Sequence, residues 1–179
     1  MQLIQTGKYS RVHFDPARDH FIKTFHPKAF DRLRYLTRIR PYPGHNFALV
    51  AARLEALGIA TPRIVETRPY RLVTDNVHGE PLRAHILDSP NLQEQYLDAL
   101  AAFDHEGIHC RGLHTENFLV HEGRMVAIDL DAYKLPRWRR YPRREYLDCL
   151  SRSLAGPEYF LFERLLERLN LDAQYRPKS

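Results

Sequence analysis

Two side chains with the makings of a cation site bracket the segment FLVHEGRMVAI: Asn117 immediately before it and Asp129 immediately after it, twelve residues apart. The segment reads as a hairpin turning at Glu122-Gly123, which brings both residues to its open end. A neutral amide oxygen and a carboxylate aimed into one cleft can hold a hard cation against a triphosphate. The same pair also reads as an Asn capping a turn and an exposed Asp ending a strand. Upstream, FIKTF places Lys23 on a strand between Ile22 and Phe25, where an ammonium could meet phosphates or simply face water; period-two alternation does not choose between them. Proton acceptors cluster nearby at His109, His114, Glu116 and Asp131.

The elements that must position these groups are legible. LIQT, SRVHF and HFIKTF read as a meander of short strands broken by Gly7 and Asp15-Pro16. Helical spacing of Phe30, Leu33, Tyr35 and Leu36 predicts a helix over 29–40, stopped by Pro41-Tyr42-Pro43-Gly44. A second helix follows, with Phe47, Val50, Ala51, Leu54 and Leu57 on one face and Gly58 at its end. IATPRIVET and YRLVTDNV make two more strands, and Gly79-Glu80-Pro81 a hinge. Leu92, Tyr96, Leu100 and Phe103 mark an amphipathic helix over 91–105, and two more helices are expected over 144–154 and 157–171.

Composition narrows the setting. A chain of 179 residues with 44% hydrophobic content supports one ordinary domain or two small lobes sharing a cleft. Cys110 and Cys149 are too few and too separated for a disulfide framework or a zinc site, and read as reduced cytoplasmic thiols. The N-terminus lacks a basic region followed by an apolar stretch, and no window approaches the roughly 18 apolar residues of a membrane span. The net charge is +5, yet KLPRWRRYPRR alone contributes Lys134, Arg137, Arg139, Arg140, Arg143 and Arg144; without it the charge is −1. Such local basicity, interleaved with Tyr133, Trp138 and Tyr141, suits one anionic surface, a phosphate-rich saccharide or a lipid headgroup, or else a solvated face. No recognised nucleic-acid motif accompanies it, so a nucleic-acid partner is not expected.

The run IHCRGLHTENFLVHEGRMVAIDLD resembles the catalytic loop and metal-binding strand of protein kinases, whose pattern is HRDLxxxN, a hydrophobic strand and then an aspartate. Asn117 lies four residues after Leu113, as in that pattern. The resemblance implies an α+β, trimmed protein-kinase-like fold: a small antiparallel N-lobe over 1–78 with one or two helices, a hinge near 73–79, and a reduced helical C-lobe over 80–179, together one domain. It implies ATP and Mg2+ as cofactors, with Asn117 and Asp129 on the metal and Lys23 on the phosphates. Thr74, Asp75 and Val77 would lie in an adenine-binding hinge, and Gly7 in a phosphate-covering turn that lacks the family's other glycines.

Among kinase-like families the chain is most similar to the small bacterial Kdo/WaaP-type lipopolysaccharide kinases and their toluene-tolerance and stress-protein relatives, through DRLRYLTRIR, LEALGIATPRIVE, the short lobe after IDLDAYK and the basic run. That likeness implies phosphoryl transfer to a sugar or lipopolysaccharide-core hydroxyl at the inner face of the cytoplasmic membrane. Arg137, Arg139, Arg140, Arg143 and Arg144 would meet an anionic acceptor. Gly112 stands where the family carries its catalytic aspartate, which leaves Asp131, His114 and Glu116 as candidate bases and a nucleotide-binding pseudokinase scaffold as the alternative. Glu55 is the only acid in GHNFALVAARLEALGI, where the family's lysine-pairing glutamate would lie.

Overall fold

The computed structural model describes residues 1–110, 112–136 and 141–171. Five antiparallel strands form the first sheet: β1 (Gln2–Thr6), β2 (Ser10–Asp15), β3 (His20–Phe25), β4 (Ile64–Arg68) and β5 (Arg71–Asp75), in the order β1-β2-β3-β5-β4. Lys23 pairs with Val12 on one side and Leu72 on the other, so β3 is central and its backbone is held by two ladders. Phe25 lies two residues on, points to the same face and joins the buried core. That places Lys23 inward, resolving the ambiguity its alternation left.

Two helices separate β3 from β4. Helix α1 (Ala29–Leu36) is shorter than its periodicity suggests, because the Thr37 hydroxyl donates to the Leu33 carbonyl at 3.0 Å and Arg38 takes a left-handed φ of 58°. Helix α2 (Pro43–Ala56) starts with Pro43 and ends at Gly58 in a Schellman arrangement, with Ile59 N–H on the Leu54 carbonyl and Gly58 N–H on that of Glu55, both at 2.9 Å. Phe47, Val50, Ala51 and Leu54 are buried, as their spacing requires, with Leu57 packed at the edge. Gly44 admits the β4–β5 turn: a Cβ there would stand 2.1 Å from the Arg68 carbonyl oxygen, so this close approach demands glycine.

Beyond the sheet, β6 (Glu80–Pro81), β7 (Phe118–His121) and β8 (Arg124–Ala127) form a second antiparallel sheet, with Glu122 and Gly123 both at positive φ in the predicted hairpin turn. Helix α3 (Pro90–Glu106) begins where the Ser89 hydroxyl accepts from Leu92 N–H and stops at Gly107 in the left-handed region. Helices α4 (Arg143–Ser153) and α5 (Tyr159–Arg168) are the last elements among the described residues; α5 is trimmed by a 3-10 turn at Gly156–Glu158 before it and the left-handed Asn170 after it. One contiguous core takes in Phe25 and Leu72 of the first sheet, α2, α3 and the later helices. Among the described residues no helix is long and apolar enough to cross a membrane.

Candidate active site

The hairpin β7–β8 does what its sequence suggests. Phe118 faces Ala127 in register, and Ile128 N–H donates to the Asn117 carbonyl at 2.9 Å, so Asn117 adjoins the strand that leads into Asp129. A 3-10 turn over Thr115–Asn117 precedes it, closed by Asn117 N–H on the His114 carbonyl at 2.9 Å. The Asn117 amide nitrogen donates to the Gly112 carbonyl, which leaves its oxygen as the acceptor still to be used. Tyr96 anchors this loop through its hydroxyl on the Leu113 carbonyl at 2.7 Å, and Thr115 donates to the buried Glu158 at 2.9 Å.

Opposite the hairpin mouth, Lys23 reaches across from β3. Its ammonium lies 3.0 Å from Asp129 Oδ1 and 2.7 Å from Asp131 Oδ1. Lys23 and Asp131 are 15% and 18% exposed, whereas Asp129 is 51% exposed and opens to solvent. Burial by itself would lower the lysine's pKa, but the two carboxylates more than offset it and raise it. For Asp131 burial wins over the neighbouring ammonium, and the negative Asp129 adds to the upward shift. Asp129 sits at φ 56°, a left-handed position that reverses the chain after β8 so that both carboxylates face the lysine.

Helix α2 contributes through Asn46 rather than an acid. Its amide donates to the carbonyls of Asp131 at 3.2 Å and Tyr133 at 2.8 Å, clamping the segment after Asp129. Glu55 instead accepts from Thr61 at 2.8 Å and takes no part. Sequence reading missed Asn46, since its partners are backbone groups 85 and 87 residues away.

The remaining expected site residues are placed unequally. His114 lies beside Gly112: an ideal Cβ on residue 112 would be 3.0 Å from His114 Nε2 and 3.5 Å from the Asn117 amide nitrogen. His114 Nδ1 is buried with no hydrogen-bond partner among the described residues. Glu116 is exposed and paired with Arg83. His109 is fully buried, stacked on Tyr141 at 4.7 Å.

Of the residues expected in a hinge, Thr74 is buried and Asp75 is spent on Arg63 at 2.6 Å and His20 at 3.3 Å, but Val77 keeps its N–H and C=O free of partners among the described residues. Gly79 lies close against β7, where a Cβ would stand 2.9 Å from that of Leu119. Gly7 opens a tight turn, its N–H on the Ser10 carbonyl at 2.8 Å, and the Lys8 and Lys28 ammonium groups lie 5.6 Å from the Tyr9 ring centre. Of the basic run, Arg137, Arg139 and Arg140 lie outside the described residues; Arg143 forms a two-pronged ion pair with Asp104 at 2.8–2.9 Å, and Arg144 is exposed.

The buried thiol of Cys110 is pushed up to about 11 by burial, with Asp131 and Asp129 adding to it, which makes it an inert packing residue. Both cysteines are free.

By sequence the chain matches no known family profile and no curated protein. By structure it resembles Rio2 kinase from Chaetomium thermophilum, solved as an ADP/Mg2+-phosphoaspartate complex, with a TM-score of 0.60 at 14% identity, covering 97% of this chain and 58% of that one. It also resembles the aminoglycoside phosphotransferase APH(2")-IIa, solved with streptomycin and ATP, with a TM-score of 0.59 at 9% identity, covering 96% of this chain and 79% of that one. The chain thus spans little more than half of the Rio2 kinase structure and has a trimmed, protein-kinase-like α+β fold.

Proposed function

We propose that the chain is an ATP-dependent phosphotransferase working as one domain, its cleft lying between an N-lobe over 1–78 and the remainder from residue 80. The observation that supports this best is the junction of Lys23, Asp129 and Asp131, three charged groups from opposite sides of a cleft with Asn117 at its edge. ATP fits there with its adenine against the free backbone of Val77 and its phosphates toward Lys23.

The donor set suits Mg2+. Asp129 is half exposed, only its Oδ1 is engaged among the described residues, and the tethered Asn117 amide has its oxygen left as an acceptor. Among the described residues no group of three or more His, Cys, Asp or Glu could hold a metal, but Mg2+ commonly takes one or two carboxylates together with phosphates and water. When bound, the ion would neutralise phosphate charge. Lys23 exchanges its carboxylate partners for phosphate oxygens, and Asn46 keeps Asp131 from following it.

His114 is the proton acceptor in this reading. Its imidazole stands next to the space that a side chain on residue 112 would enter, whereas Glu116 is exposed and paired with Arg83. The acceptor hydroxyl gives its proton to His114, its oxygen forms a bond to the γ-phosphorus, and the bond to the bridging oxygen breaks so that ADP leaves with the electron pair. The acceptor is a sugar or lipopolysaccharide-core hydroxyl, drawn from the resemblance to the Kdo/WaaP-type kinases.

A second reading, a nucleotide-binding scaffold, is favoured by Gly112, which supplies no carboxylate. Turnover separates the two. The purified chain with Mg-ATP is expected to release phosphate to water or to a saccharide acceptor, and His114→Ala to lower that rate about 10²-fold with unchanged nucleotide affinity. Nucleotide binding without any turnover would establish the scaffold. Full activity in His114→Ala would remove the histidine from its role.

A further inference from the structure

Helix α1 has eight residues and buries none of them. Phe30, Leu33 and Leu36 are 56–69% exposed, and Ile39, just beyond the helix, is equally open. An isolated helix of two turns does not persist in water, so something must hold it. Its opposite side does so, through Tyr35 packed on Tyr42 and Tyr70 with ring centroids 5.6 and 6.2 Å apart. The apolar residues are therefore displayed by a helix whose anchoring lies elsewhere. Around them, residues 28–40 carry Lys28, Arg32, Arg34, Arg38 and Arg40 against one acid, Asp31.

We infer that α1 and the turn after it form a docking surface for an anionic lipid bilayer. Apolar side chains ringed by arginines match an interface that offers acyl chains beneath negative headgroups. A second copy of this chain would bring two positively charged patches face to face, which disfavours self-association through the same surface. The position is apt for an acceptor carried by the membrane. Tyr35, Arg38, Ile39 and Arg40 line one side of a groove of about 1290 Å3, and Asp131, the partner of Lys23, lies in its wall. The link from groove to cleft rests on the phosphotransfer reading; the lipid contact does not.

The test is co-sedimentation of the full chain with vesicles of equimolar phosphatidylcholine and phosphatidylglycerol, against pure phosphatidylcholine. Binding to the anionic vesicles is expected to weaken with salt and to fall roughly a hundredfold in Phe30→Ser/Leu33→Ser/Leu36→Ser, since each side chain loses much of its transfer free energy. The triple variant should keep its melting temperature and its response to Mg-ATP, which separates failure of this inference from failure of the nucleotide site. A second probe is Leu33→Trp in a Trp138→Phe background, whose emission should shift to the blue on anionic vesicles alone. Vesicle binding unchanged in the triple variant, a concentration-dependent dimer that the variant abolishes, or loss of folding in the variant would each overturn the inference.

Discussion

Lys23→Met is expected to destabilise the folded chain by about 2–3 kcal/mol at neutral pH and to abolish nucleotide binding. The substitution keeps an apolar stem in place but removes the cation between Asp129 and Asp131. Removing one partner of a fully buried ion pair costs about 3–5 kcal/mol; the smaller figure reflects Asp129, which water can solvate. The pH dependence gives the mechanism away. The pKa of Asp131 is already raised by burial, so the folded state binds its proton more readily than the unfolded chain does. Stability from this group therefore falls as pH rises above the ordinary carboxylate range near about 4, and without Lys23 the fall is steeper.

The raised pKa of Lys23 acts with the same sign, but at the other end of the pH range. Its contribution is complete below the ordinary lysine value and is lost only as pH rises through the higher folded value. Denaturant titrations of parent and variant at about pH 5 and about pH 8 should thus show a penalty that grows with pH. A penalty equal at both would mean that the packing of the lysine stem, not its charge, holds the cleft.

Asp129→Asn is expected to leave the fold intact and to remove magnesium-dependent ATP binding, with turnover falling by about 10³-fold or more. Asp131, 2.7 Å from Lys23 in the parent, is untouched by the change and should keep the lysine in place. What disappears is the half-exposed carboxylate that faces the cleft. In the parent, Mg-ATP at 100 times its dissociation constant should add about 2.7 kcal/mol of stability, and the variant should show little of this. Scanning calorimetry with ATP alone, Mg2+ alone and both together makes the comparison. An equal response to Mg-ATP in the two proteins would sink the metal assignment while sparing the fold.

Much of the framework was legible because it is local. Strand limits at His20–Phe25, the helix around Tyr96 and the turn at Glu122-Gly123 follow from alternation, periodicity and left-handed residues within a few positions of one another. Order along the chain alone puts Asn117 and Asp129 at one hairpin mouth. The expected length of α1 was too great, because a hydroxyl back-bond and one left-handed residue end it while the apolar spacing runs on.

What the sequence by itself determined was a set of elements and the chemical types they carry: a strand lysine, a hairpin with an amide and a carboxylate at its ends, and a glycine at position 112 in the loop before it. Tertiary structure decided their company. That Lys23 turns inward is settled by Phe25 and Leu72, which share its face and join the core, and its acidic partners are Asp129 and Asp131, more than a hundred residues away, rather than Glu55 on the nearby helix. Asn46 became a positioning residue only when α2 met the segment after β8, and His114 became neighbour to the space beside Gly112 only through the fold of its loop. Local propensity acts over a turn or a strand, whereas burial and charge pairing act across space, and one sequence without its fold carries no record of which distant groups share a cleft.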